Sequence, residues 1–272
     1  MLKNGERLGR YVVESRVGKG ASARVYQGRA VTGGSARVSI KEYDFYDRDV
    51  SRRSLRKRSF EAEKRAMPLM DHANLPRFYD IIETDRKGYV IVEYVDGINL
   101  RSHVDREGRV SEPQLLFVTH DVSQALAYLH ERPDPLVHAD VKPDNIVVTP
   151  DGRAILIDLG LSRFLSDGLT EKVGTIGYIS CETISSGDIG PYSDIYSLGW
   201  VFHFGYTGRR PLTAPAHWKR DADRQGLDRD LDGISGESIE LVRSCVDSDP
   251  FKRPSAVELA NKLKHRYEKL TN

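Results

Sequence analysis

Short β-prone runs occupy the first third of the chain. Tyr11–Val17, Arg24–Val31 and Ala36–Tyr43 are rich in β-branched and aromatic residues and are punctuated by Gly18, Gly20 and the Thr32-Gly33-Gly34 turn, a pattern that predicts an antiparallel meander. A two-residue period in the third run puts Val38 and Ile40 on one face and Ser39 and Lys41 on the other. A basic stretch from about Ser51 to Met70 predicts a helix, distorted or ended by Pro68. Two further strands are expected at Phe78–Glu83 and Tyr89–Tyr94, and Asp96-Gly97 then breaks the pattern.

Beyond that break the period lengthens. Ser111-Glu112-Pro113-Gln114 fits a capping box, and Leu115, Val118, Val122, Ala125, Leu126 and Leu129 continue it at helical spacing. Asn145–Thr149 and Ala154–Asp158 flank Pro150-Asp151-Gly152 and predict a hairpin, and from Tyr192 onward the pattern is mainly helical. No internal repeat or low-complexity tail interrupts it.

Composition narrows the class of protein. The 272 residues carry 41 Lys+Arg against 40 Asp+Glu, a net +1 that argues against a global electrostatic footprint for nucleic acid or membrane. That balance hides a division: residues 1–95 hold 20 basic and 13 acidic residues, and residues 96–272 hold 21 and 27. Two cysteines, Cys181 and Cys245, cannot build a disulfide framework or a zinc site, which points to a reducing, cytoplasmic setting. No apolar run reaches membrane-spanning length, and the first residues lack a signal-peptide core.

Candidate chemistry begins with Gly18-Lys19-Gly20 between two strands. Glycines there let a backbone approach a phosphate, although a plain hairpin turn would look the same. Lys41 gains meaning from Glu63, because Phe60, Glu63, Met67 and Met70 share one helical face and a carboxylate in an apolar stripe needs a cation. In the expected hairpin Asn145 opens the first strand and Asp158 closes the second. The two would lie side by side as a small hard-oxygen site suited to Mg²⁺. Asp140 lies five residues upstream, and Lys142 could neutralise a phosphoryl group.

Taken in order, these segments resemble the protein kinase family, in its bacterial Ser/Thr branch, over about residues 8–268. The likeness rests on Gly18-x-Gly20 with Val25, Val38-Ser39-Ile40-Lys41, Glu63 nine residues before His72, and Val92-Glu93-Tyr94-Val95. It continues through His138-x-Asp140-x-Lys142-Pro143-x-Asn145, Asp158-Leu159-Gly160 and Gly174-Thr175-x-x-Tyr178 with Glu182. Asp194–Gly199 and Asp249-Pro250-Phe251-Lys252-Arg253-Pro254 complete the series.

The resemblance implies an α+β, two-lobed protein kinase fold. Residues 1–95 would form a small antiparallel β-sheet N-lobe with helix C, and residues 96–272 a larger, mainly helical C-lobe. It implies Ser/Thr protein kinase activity with ATP and Mg²⁺, Mn²⁺ being a substitute. Asp140, Lys142, Lys41, Glu63 and Thr175 would be catalytic, and Asn145 and Asp158 would hold the metal. Val17, Gly18, Gly20, Val25, Ser39, Lys41, Glu93, Val95, Asn99 and Val147 would bind the nucleotide, and Glu182 would pair with Arg253. A nucleotide-binding pseudokinase scaffold and a small-molecule kinase are the alternative readings.

Departures from the family pattern carry expectations of their own. Ala139 replaces the arginine that would receive an activation-segment phosphate, so activity independent of phosphorylation at Ser166 or Thr170 is expected. Cys181 is expected to pack rather than to switch. The basic run Arg48–Arg58 is either a solvated helix start, a docking face for an acidic regulatory partner, or a site of autophosphorylation at Ser51, Ser54 or Ser59. A length filled by a catalytic domain leads to the expectation that any signal arrives from another chain. Protein substrates are the expected partners, with no nucleic acid and no membrane.

Overall fold

The computed structural model describes residues 1–20, 22–32, 36–47, 49–168, 172–211 and 233–271, the side chain of Lys19 excepted. The chain divides into two units, one of residues 1–95 with 158–160, the other of residues 96–157 and 161–272.

In the first unit the alternating runs become β1 (Arg7–Leu8), β2 (Tyr11–Lys19), β3 (Arg24–Ala30), β4 (Arg37–Asp44), β5 (Phe78–Glu83) and β6 (Lys87–Glu93). They form one antiparallel sheet in the order β1-β2-β3-β4-β6-β5. Both faces are apolar. Tyr11, Val13, Tyr26, Val38, Ile40, Tyr89 and Ile91 cluster together with Leu2, and Tyr43, Phe45, Phe60, Met67, Val90 and Val92 form a second cluster that includes the helix. Val38 and Ile40 are fully buried while Ser39 and Lys41 are not, as the two-residue period requires.

Helix α1 (Val50–Ala66) starts one residue earlier than the sequence suggests, because the Asp49 carboxylate accepts hydrogen bonds from the backbone of Ser51 and Arg52 at 2.9 and 3.2 Å. It stops at Ala66, and Met67–Leu69 tighten into a 3-10 turn around Pro68.

The second unit holds α2 (Leu100–Glu107), α3 (Glu112–His130), α4 (Cys181–Ser186), α5 (Pro191–Thr207), α6 (Gly236–Cys245) and α7 (Ala256–Thr271). Helix α3 is buried through Leu115, Val118, Val122, Ala125, Leu126 and Leu129, the residues its periodicity singles out. The capping box at its start does not form. Ser111 Oγ instead donates to Gln114 Oε1 at 2.8 Å, and no side chain caps the backbone. Strands β7 (Ile98–Asn99), β8 (Leu136–Val137), β9 (Ile146–Val148), β10 (Ala154–Leu156) and β11 (Arg163–Phe164) make two small sheets, β10-β9-β7 and β11-β8.

The expected hairpin is β9–β10, but it is shorter than predicted. Asn145 ends a 3-10 turn just before β9, and its carbonyl accepts the Ile157 amide at 2.8 Å. Asp158 lies two residues beyond β10 with φ 73°, in the left-handed region. Neither residue therefore sits within a strand.

Candidate active site

In the first unit, one ammonium serves two carboxylates. Lys41 lies at the cross-strand position from Val25 on β3 and Val90 on β6. Its Nζ pairs with Glu63 Oε1 from α1 and lies 2.9 Å from Asp158 Oδ1. The lysine side chain is 12% exposed and that of Glu63 5%, against 42% for Asp158. Burial works against the Lys41 charge, but the carboxylates of Asp158 and Glu63 outweigh it and raise the lysine pKa. The two acids divide. Local burial opposes the Asp158 charge but Lys41 holds that carboxyl well below its ordinary range, whereas burial dominates at Glu63 and raises it to about 7. Glu63 Oε2, Tyr43 Oη and Ser59 Oγ are buried without hydrogen-bond partners in the described structure.

Gly160 has a steric reason for being glycine. A Cβ there would stand 3.2 Å from Asp158 Oδ1 and 3.6 Å from Ser59 Cβ. Leu159 between them is buried. At Gly18 a Cβ would meet nothing within 4 Å, so the backbone faces open space there, and Val17 beside it is 55% exposed. The Gly20 amide donates to Ala23 O at 2.9 Å and closes the turn.

In the second unit, one carboxylate is held from two sides. Thr175 Oγ1 donates to Asp140 Oδ1 at 2.6 Å, Lys142 Nζ lies 2.6 Å from Asp140 Oδ2, and Lys142 Nζ also reaches Thr175 Oγ1 at 2.9 Å. Asn145 Nδ2 donates to Asp140 O and Oδ2 at 2.9 and 3.1 Å, which commits the amide nitrogen. Asp140 is 8% exposed.

What sets this loop is a residue of the Asp194–Gly199 motif whose duty no local pattern announces. Asp194, 1% exposed on α5, accepts the His138 and Ala139 amides at 2.8 Å each and a His130 Nε2 contact at 2.8 Å. Ala139 has φ 64°, a left-handed conformation costing about 1–2 kcal/mol for a residue with a Cβ. Two charge-assisted hydrogen bonds of about 1.5–3 kcal/mol each are enough to hold it.

The remaining expected residues fall as follows. Glu93 and Val95 lie at and beyond the end of β6, and the Glu93 amide donates to Arg77 O at 2.7 Å. Ser39 lies at the cross-strand position from Val92. Val147 on β9 is buried and lies at the cross-strand position from Asn99. The Asn99 side-chain oxygen caps α2 by accepting the Ser102 amide at 2.7 Å, a structural duty that occupies one lone pair of that oxygen. Gly97, read from sequence as a simple break, is required by packing: a Cβ would fall 2.3 Å from Val148 O.

Glu182 and Arg253 form a bidentate pair at 2.7 and 2.9 Å, with the arginine side chain fully buried and stacked on Tyr196 at 4.7 Å. Ser166 donates through its hydroxyl and its amide to Asp134 at 2.6 and 3.1 Å. Thr170 and Arg48 lie outside the described residues. Within the basic run, Arg56 is buried against Asp47 at 2.7 Å and Ser59 is 1% exposed, which removes the first as a docking residue and the second as an accessible phosphate acceptor. Cys245 is buried, with its thiol pushed up to about 12 by burial, and Cys181 is half-buried 3.8 Å from Tyr196 Oη. No helix among the described residues is long and apolar enough to cross a membrane.

The family model for the protein kinase domain matches residues 11–267. The chain belongs to the protein kinase family. Similar proteins include the probable serine/threonine-protein kinase PkwA of Thermomonospora curvata, 30% identical over 94% of this chain and 34% of its own length. The serine/threonine-protein kinase PknL of Mycobacterium tuberculosis is 29% identical over 90% of this chain and 62% of its own. The hormonally up-regulated neu tumor-associated kinase homolog A of Xenopus laevis is 27% identical over 94% and 38%. The kinase chain thus spans about two fifths of that frog protein and at most 62% of these three relatives.

Proposed function

We propose that this kinase chain is an active Ser/Thr protein kinase that transfers the γ-phosphoryl group of ATP to a protein hydroxyl. The observation that carries the reading is the Asp140 carboxylate, fixed by Lys142 and Thr175 at 2.6 Å each. A carboxylate held so closely can orient a serine or threonine hydroxyl and take its proton as the phosphorus–oxygen bond forms. Lys142, bonded to that carboxylate, supplies positive charge to the transferring group. Lys41, steadied by Glu63, supplies charge for the remaining phosphates, and the open space at Gly18 suits a phosphate-covering turn. Val17, Val25, Ser39 and Val147 would contact the base, with the main chain of Glu93 and Val95.

Asn145 and Asp158 would each lend an oxygen to Mg²⁺ or Mn²⁺, the hard donor type these ions take. When bound, the ion neutralises charge on the phosphates. The fit is supported by Asn145 donating its nitrogen to Asp140, which leaves its oxygen for a cation.

The experiment is transfer of labelled phosphate from ATP to a mixed protein substrate. Asp140→Ala should lower the rate by about 10²–10⁴-fold while circular dichroism is unchanged. Retained transfer would overturn the assignment. Independence from activation-segment phosphorylation is supported by Ala139 and by the two hydrogen bonds from Ser166 to Asp134. A Ser166→Ala, Thr170→Ala double variant should keep most of its activity, and a hundredfold drop would refute that part. An acidic regulatory partner on the exposed residues Arg52, Arg53 and Lys57 of α1 remains part of the proposal.

A further inference from the structure

Given the kinase reading, on which this inference rests, the charges around Asp140 determine what peptide can approach it. Two chain segments leave Asp140 in the second unit. One runs through Lys142 to Asp144, and the other through Thr175 to Ile176, Gly177 and Tyr178. They converge on Arg101 of α2. Its Nε lies 3.7 Å from Asp144 Oδ2, its guanidinium stacks on the Phe204 ring at 4.4 Å, and its Nη1 is buried without a hydrogen-bond partner in the described structure. Tyr178 is 4% exposed, and its hydroxyl also lacks a partner there. Burial, aided by the Asp144 charge, raises the phenol pKa against the opposing pull of Arg101 and Arg210, so the hydroxyl stays neutral.

The rim is cationic as well. Pro211 O lies 3.4 Å from the place where a Cβ on Gly177 would stand, so the Arg209–Pro211 segment backs the same turn. Arg209 and Arg210 are both exposed, and Ile176 beside them is 68% exposed. Among the described residues, two acids of this surface are matched, Asp140 by Lys142 and the half-exposed Asp144 by Arg101. The charge that exposed Arg210 adds to the rim is positive. A peptide with arginines next to its acceptor would meet repulsion here, whereas an anionic side chain would gain charge-assisted hydrogen bonds from guanidinium groups.

We propose that Arg101, Tyr178 and Arg210 form a selecting surface for protein substrates that carry an anionic side chain, carboxylate or phosphate, within a few residues of the acceptor serine or threonine. Arg210 is the outer contact. Arg101, held by Phe204 and Asp144, and Tyr178 form the inner wall.

The test uses fluorescent peptides with one acceptor serine, flanked by glutamate, by phosphoserine or by arginine. Binding is measured by anisotropy without ATP, and turnover of the same peptides is measured separately. Wild-type protein should bind both anionic sets at least tenfold more tightly than the arginine set, and the difference in turnover should appear in KM rather than kcat. Phosphoserine tighter than glutamate would mark previously phosphorylated substrates, and equal binding would mark acidic ones. Arg210→Glu should reverse the order with an unchanged melting temperature. Equal binding of all sets, an arginine preference, or an Arg210→Glu variant that keeps the wild-type order would overturn the proposal. Binding preference without any turnover would support this surface and overturn the kinase reading, and turnover without the preference would do the opposite.

Discussion

The two lysine clusters use the same parts in opposite proportion. Lys41 is one ammonium shared by two carboxylates, while Glu63 Oε2 and the nearby Tyr43 and Ser59 hydroxyls make no well-formed hydrogen bond among the described residues. At Asp140 one carboxylate is shared by an ammonium, a hydroxyl and an amide, and both its oxygens are engaged. In the first cluster burial, with Asp158 adding to it, raises the Glu63 pKa to about 7 against the pull of Lys41. The second is locked. One cluster has capacity to reorganise when anionic phosphates arrive, and the other offers a fixed geometry to a neutral hydroxyl. A sound test of either description removes one member and asks whether charge or position is lost.

Replacement of Lys41 should do most. Lys41→Met removes the cation paired with Glu63 and should lower kcat/KM for ATP by about 10²–10³-fold in a phosphate-transfer assay. It also has a pH signature. With the cation gone, the folded Glu63 pKa moves further above its unfolded value near 4.5. A carboxyl raised on folding favours the folded state while protonated, so the variant should keep losing stability relative to wild type as pH rises through about 7 and above, where Glu63 of the wild type is already ionised. Urea denaturation at several pH values checks the sign, and an unchanged difference would refute a charge-rich cluster.

Thr175→Val comes next. It keeps shape and removes the hydroxyl from Asp140, at a cost of about 1.5–3 kcal/mol for a hydrogen bond to a charged group. The loss should fall on kcat, with KM for ATP unchanged and recovery in Thr175→Ser. The smallest effect belongs to Ala139→Gly. Relief of the left-handed strain and the added freedom of the unfolded chain oppose each other, so the change in stability should stay within about 1 kcal/mol by chemical denaturation.

Much of this was legible from the chain alone. Alternation placed Lys41 opposite Val38 and Ile40, and helical spacing put Glu63 inward. Both are local periodicities that a sequence displays directly. Asp194 was present within a motif, but its duty is set by hydrogen bonds to residues 55 and 56 positions away, and nothing local encodes that pairing. Glu42 shows the same limit. It adjoins Lys41 on the other face, is buried, and is satisfied by Tyr26 at 2.8 Å and by Lys87, 45 positions on. The capping box failed for a different reason. Ser111 and Gln114 stand at the right spacing, but their side chains bond to each other. Spacing permits a contact without choosing among donors and acceptors.

The contrast between the two cysteines has a practical use. Thiolate is the form that alkylates, and Cys245 is both buried and held as a thiol. A maleimide dye should thus load Cys181 first, the residue that opens α4 immediately before Glu182. The native sequence therefore carries its own attachment point for a fluorophore, one residue from the Glu182–Arg253 pair. Fluorescence lifetime there would report, without any engineered residue, on how the end of this segment responds to nucleotide and to peptide.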